Sequence, residues 1–147
     1  MIRSFNRNDK EEVLKLLQLN IPKYFAVSEE VDFIEYLDSY LEDYFVFEIN
    51  NKIIGVGGIN YFPTNRFARI SWDFVHPDFH GKGIGTQLLK HRIDHLNKNS
   101  LIERVEVRTS QHAYQYYGKF GFELEKIEKD YWGKGFDLYQ MRMLLSW

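Results

Sequence analysis

Apolar positions change their spacing several times along the chain, and each change predicts an element. Val13, Leu16 and Leu17 are set three and four apart behind a polar start, which predicts an amphipathic helix reaching about Leu19 with Asn8 and Glu11 as its capping pair. Pro22 breaks the chain. Ser28 then caps a second helix, with Glu29, Glu30 and Asp32 at its positive end and Phe33, Ile34, Leu37, Tyr40 and Leu41 as its buried face. Residues 44–49 and 52–61 follow as strands, joined by Asn50-Asn51, a pair that tolerates the positive φ of a tight hairpin. Gly55, Gly57 and Gly58 weaken the second of these strands, so a bulge or the close approach of another group is expected there.

After the turn at Pro63-Thr64-Asn65, residues 68–75 predict another strand, and residues 84–97 a helix with the stripe Leu88, Leu89, Ile93 and Leu96. A strand over 101–109 comes next. Because a whole helix connects it to the strand before, the two should lie parallel in a right-handed βαβ unit. A short helix over 111–120, a strand over 122–129, a turn at 132–135 and a strand over 136–145 complete a mixed α/β pattern that ends in a closing hairpin. The 147 residues are enough for one core, and one domain spanning 1–147 is expected.

Composition narrows the chemistry. The absence of cysteine excludes disulfides, thiolate zinc sites and an acyl-cysteine intermediate. A net charge of −2 supplies no basic field for nucleic acid, and no apolar run nears the roughly 20 residues that span a bilayer. The start, Met1-Ile2-Arg3-Ser4-Phe5-Asn6, turns polar at once and holds no secretory apolar segment, which points to the cytoplasm.

The richest stretch runs from Val75-His76-Pro77 through His80-Gly81-Lys82-Gly83-Ile84-Gly85-Thr86 into the apolar stripe of the helix. Three glycines at alternate positions let main-chain N–H groups converge, and the helix start adds unpaired donors and a positive dipole end, a combination suited to pyrophosphate. The alternative is a glycine turn that only redirects the chain. The Walker loop and the dinucleotide fingerprint both fail: the first lacks its Gly-Lys-Ser/Thr spacing, and Thr86 stands where the second needs glycine.

The run resembles the acyl-CoA-binding motif of the GCN5-related N-acetyltransferases (GNAT), Gln/Arg-x-x-Gly-x-Gly/Ala after Val-x-Pro, with His80 in the Gln/Arg place. A second segment, Ser110 to Phe122, resembles that family's Asn-x-x-Ala-x-x-Phe-Tyr-x-Lys-x-Gly-Phe at Ala113, Tyr117, Lys119, Gly121 and Phe122, with Ser110 in the Asn place. The two signatures stand in the family's order, and the flanking elements follow its layout, so the resemblance covers nearly the whole chain. It implies the GNAT fold: a mixed central β-sheet, flanked by helices, whose central parallel strands splay. It also implies acetyl-CoA as co-substrate, held by Phe74, Val75, His80, Gly81, Lys82, Gly83, Ile84, Gly85, Thr86, Ser110, Ala113 and Tyr117. Direct transfer to the primary amine of a small molecule follows, with no metal, and a homodimer through the C-terminal hairpin ending at Trp147. The alternatives are a protein or peptide amine as acceptor, or an acyl-CoA sensor without turnover.

Amine attack on a thioester needs N–H donors for the oxyanion, a proton source near sulfur and a base for the nitrogen. By position in the family motif, Val75 N–H supplies the donor and Tyr117 the proton, against a packing or thiol-positioning role for the tyrosine; Tyr116 is expected in the core. Asp73, set among Trp72, Phe74 and Val75, is the first candidate base, and Glu106, between Val105 and Val107, the second, with bound water as the alternative that some members of the family use. For either, an ion pair with Arg69 or Arg108 is the competing expectation. His91 and His95 have the i, i+4 spacing of a metal pair, but a solvated helical face is expected instead. By the layout that the family resemblance implies, Tyr24, Phe25, Tyr61, Phe62, Trp72, Tyr131 and Trp132 are expected to line the acceptor's entry.

Overall fold

The computed structural model describes residues 1–145. Its elements are β1 (Ile2–Ser4), α1 (Lys10–Gln18), α2 (Glu29–Glu35), β2 (Asp43–Ile49), β3 (Lys52–Phe62), β4 (Phe67–Val75), α3 (Ile84–Asn97), β5 (Arg104–Thr109), α4 (Tyr114–Gly118), β6 (Glu123–Gly133) and β7 (Phe136–Leu144). Among the described residues the strands form one seven-stranded sheet in the order β1-β2-β3-β4-β5-β7-β6. Its one parallel pair, β4 with β5, lies at the centre.

Strand alternation sends side chains to two cores. Phe45 and Phe47 of β2 join Leu88, Leu89 and Leu96 of α3 on one face. Tyr44 and Val46 join Val13, Leu16 and Leu17 of α1 and Phe33 of α2 on the other. The β2–β3 hairpin turns at Asn50 and Asn51, whose φ values of 50° and 65° are the left-handed conformation the asparagine pair predicted. The α3 helix has its predicted bounds.

Local details correct several expectations. The cap at the chain's start is two residues earlier than Asn8 and Glu11: Asn6 Oδ1 accepts from Asn8 N–H, and Asp9 Oδ2 accepts from Asn6 N–H, both at 2.9 Å. Ser28 makes no capping bond; Glu29 reaches back to Ala26 N–H at 2.8 Å instead. The α2 helix continues as a wider π-helical turn over residues 36–40, which rotates the apolar face, so Tyr36 is buried while Tyr40, expected inside, is 60% exposed. The strand expected over 101–109 begins only at Arg104, and the helix over 111–120 shrinks to the five residues of α4. Trp147, in the expected dimer surface, lies outside the described residues. No helix among the described residues is long and apolar enough to cross a membrane.

Candidate active site

The parallel pairing of β4 with β5 runs from Phe67–Arg104 to Ile70–Val107 and stops. Beyond it residues 71–75 and 108–109 diverge, and the wedge opens into a cleft of about 1460 Å³. This is the splay that the family resemblance implied.

One wall of the cleft is the glycine turn. Gly81 and Gly83 have φ values of 75° and 84°, a region that other residues enter only with strain. The first helical bond of α3 is Gln87 N–H to Gly83 O at 3.0 Å, which leaves the N–H groups of residues 84–86 outside the helical ladder. His80, Gly81, Gly83, Ile84, Gly85 and Thr86 line the cleft. Lys82 does not, and its ammonium lies 5.3 Å from the centre of the Phe79 ring. Across the cleft stand Phe74, Val75, Ser110, Ala113 and Tyr117. Ser110 Oγ accepts from His112 N–H at 3.2 Å and so shapes the entry to α4. Val75 O is held by Asn20 Nδ2 at 3.2 Å, and His80 Nε2 lies 2.9 Å from it, so the strand end is fixed from both sides. Tyr116, expected in the core, is only partly buried; its hydroxyl lies 3.1 Å from Thr86 Oγ1 at the cleft wall.

The floor is built by a bulge. The register of β3 with β4 shifts between Val56–Phe74 and Gly58–Ser71, so Trp72 and Asp73 together oppose Gly57, and Trp72 takes a φ of 49°. The extra residue reverses the alternation: Trp72 joins the core beside α1 and α2, while Asp73 turns towards α3. There it meets Arg92, whose side chain is 1% exposed. The guanidinium grips both carboxylate oxygens: Nη1 bonds Oδ1, and Nη2 donates to Oδ2 at 2.8 Å. It also donates to Leu88 O at 3.0 Å and Gly58 O at 3.1 Å, so its buried charge is fully partnered. Tyr117 Oη donates to Asp73 Oδ2 at 2.8 Å. Burial holds the Tyr117 hydroxyl well above the ordinary phenol range, the Asp73 charge adds to this, and Arg92 opposes both.

The ion pair expected for Asp73 therefore exists, but its partner is Arg92 and not Arg69 or Arg108. Glu106 pairs with Arg69 at 2.8 Å and is not among the residues lining the cleft. Arg108 lines it, stacked against Tyr131 at 4.9 Å and donating to the Tyr131 hydroxyl at 2.6 Å. All seven aromatics named from sequence line the same cleft, together with Glu29, Asp32, Glu35 and Glu42. Glu29 is buried, and desolvation raises its carboxyl to about 7. His91 and His95 pack edge-on against Phe45, and no group of three or more His, Cys, Asp or Glu among the described residues could hold a metal.

Arg92 is the site residue that sequence reasoning missed. A signal was present: it stands four after Leu88 and four before Leu96, inside the apolar stripe, opposite a strand carrying Gly57-Gly58.

Residues 23–145 match the family model described as an acetyltransferase (GNAT) domain. The chain is 28% identical over 141 residues to an uncharacterized N-acetyltransferase of Methanocaldococcus jannaschii, covering 87% of this chain and 62% of that protein. It is also 28% identical over 166 residues to an N-alpha-acetyltransferase of Sulfurisphaera tokodaii, covering 95% and 90%. Its fold superposes on an aminoglycoside 6'-N-acetyltransferase crystallised with coenzyme A, with a TM-score of 0.77 at 15% identity over 98% of this chain and 96% of that one.

Proposed function

Because the chain belongs to the GNAT acetyltransferase family, we propose that it moves the acetyl group of acetyl-CoA directly to the primary amine of a small molecule. Both substrates are bound together, and Tyr117 acts as general acid. The observation that carries this reading is the continuity of the cleft: one cavity joins the glycine turn, the Asp73–Tyr117 floor and a mouth of aromatic rings and carboxylates. The turn's free N–H groups suit the diphosphate of coenzyme A. The open edges of β4 and β5 suit its amide-bearing arm. Val75 N–H is the donor to the thioester carbonyl, and Tyr117 gives its proton to the departing sulfur. Asp73, on the cleft, is assigned as base in preference to Glu106, which is held by Arg69 away from it. The carboxylates at the mouth favour an acceptor that arrives as an ammonium ion. A cytoplasmic site of action is part of this reading.

A second reading, a peptide N-terminus as acceptor, is favoured by the likeness to an N-alpha-acetyltransferase. Thiol release from acetyl-CoA over a panel of polyamines, aminoglycosides, amino acids and short peptides separates the two by which class turns over. Tyr117→Phe should lower kcat by about 10²–10⁴-fold with little change in the KM for acetyl-CoA; wild-type turnover by this variant removes the general-acid role. Calorimetric binding of coenzyme A without thiol release for any amine would mark a sensor.

A further inference from the structure

We propose that Arg92 is a positioning residue that joins Asp73 and Tyr117 into one proton circuit for acetyl transfer. This assignment rests on the reading of Tyr117 as general acid and adds what restores that acid's proton after each turnover.

Three features are shaped around the guanidinium. The apolar stripe of α3 gives up a position at which leucine would pack, since its neighbours Leu88, Leu89 and Leu96 are each 1% exposed or less. Gly57 must lack a side chain: a Cβ there would stand 2.6 Å from Arg92 Cζ. The bulge at Trp72 turns Asp73 towards α3, where the carboxylate takes Arg92 on both oxygens and Tyr117 on one. A pair built only for packing would be sealed in the core. This one keeps its carboxylate at the cleft, with the Asp73 side chain 20% exposed beside an arginine that is 1% exposed.

The chemistry that fits is balanced within the site. The acceptor gives up its ammonium proton to solvent, and the neutral amine attacks the thioester carbon: a C–N bond forms and the carbonyl π electrons move to oxygen. The nitrogen, now positively charged and bonded to the carbon that bears the oxyanion, is far more acidic than a free ammonium, so a carboxylate suffices to take its proton. The oxyanion collapses, the C–S bond breaks, and sulfur leaves with the electron pair and takes the phenolic proton of Tyr117. The proton on Asp73 then passes across the hydrogen bond to the phenolate. Amine and thioester have become amide and thiol, and both side chains are as they began.

Arg92 makes the first transfer available. With the guanidinium on both of its oxygens, Asp73 meets the incoming amine as a fixed acceptor at the cleft. The bidentate grip also sets the carboxylate plane under Tyr117.

The test is steady-state kinetics of Arg92→Met, Arg92→Lys and Asp73→Asn, with acetyl-CoA and an amine that the wild-type protein acetylates. Arg92→Met should lower kcat by about tenfold or more, leave the KM for acetyl-CoA within about twofold, and move the acid limb of the kcat–pH profile upward. Arg92→Lys, which keeps the charge but cannot span both oxygens, should recover part of kcat and move the limb less. Asp73→Asn should lower kcat at least as far as Arg92→Met. If Arg92→Met does not fold, Arg92→Lys decides on the same readouts. Wild-type kcat in a folded Arg92 variant, or a loss with an unmoved pH profile, assigns Arg92 to packing and overturns the circuit. Slow Tyr117→Phe alongside unaffected Arg92 variants removes the circuit alone; full turnover by Tyr117→Phe removes the general-acid reading itself.

Discussion

Gly57 shows at the scale of one residue how a missing methyl group can support a charge. The Arg92 guanidinium lies where its Cβ would be, so Gly57→Ala should displace the buried cation from its partners and cost about 2–4 kcal/mol in urea unfolding. Glu29 gives a pH-dependent counterpart. Its carboxyl rises from 4.5 to about 7 on folding, so the folded chain binds the extra proton between those values. The stability this contributes is complete below 4.5 and lost as pH rises through about 7. Glu29→Gln should therefore flatten the fall in stability between pH 5 and 8, by up to about 3 kcal/mol; a wild-type slope in the variant's unfolding midpoints would refute this. Asp73 was legible as an acidic residue in an apolar strand. Its partner was not, because alternation alone does not reveal that a bulge at Trp72 turns the following side chain to the other face.

Elements differed in how much of them could be read, for physical reasons. The β2–β3 hairpin and α3 were legible because each is fixed locally, one by two asparagines in the left-handed region and the other by a glycine start and a long stripe. The end of α2 was not, since a π-helical turn shifts the face without any proline or glycine to mark it. The short α4 is held largely by what surrounds it, which propensity cannot show. The glycine turn allows a clean test of element geometry. Nothing lies within 4 Å of a Cβ built on Gly83, so Gly83→Ala carries backbone strain alone, about 1–2 kcal/mol. It should weaken calorimetric affinity for coenzyme A while leaving the fold intact.

For the whole molecule, the β2–β3 hairpin, the parallel β4–β5 pair and the β6–β7 hairpin followed from the spacing of elements, whereas β1 and the placing of β7 between β5 and β6 did not; the gathering of aromatics from distant segments followed from the family layout. The acceptor was not legible, because the cleft is assembled from α2, β3, β4, β5 and the β6–β7 hairpin, and no single segment records its shape. A ligand filling that cleft would touch all of these elements at once. Acetyl-CoA at a hundred times its Kd should raise the free energy of unfolding by about 2.7 kcal/mol, several degrees in Tm, and an unchanged Tm would argue against binding there.

The four-residue pairing of β4 with β5 leaves a sheet with a rim at its middle, where the two strand ends do not bond to each other. Rims are where sheets recruit further strands, and proteins usually shield them at the periphery. Here the exposed amides are enclosed between two halves of one chain. Their hydrogens should exchange with solvent as fast as those of an outer strand despite their central address, and should slow once an extended, amide-bearing molecule completes the ladder.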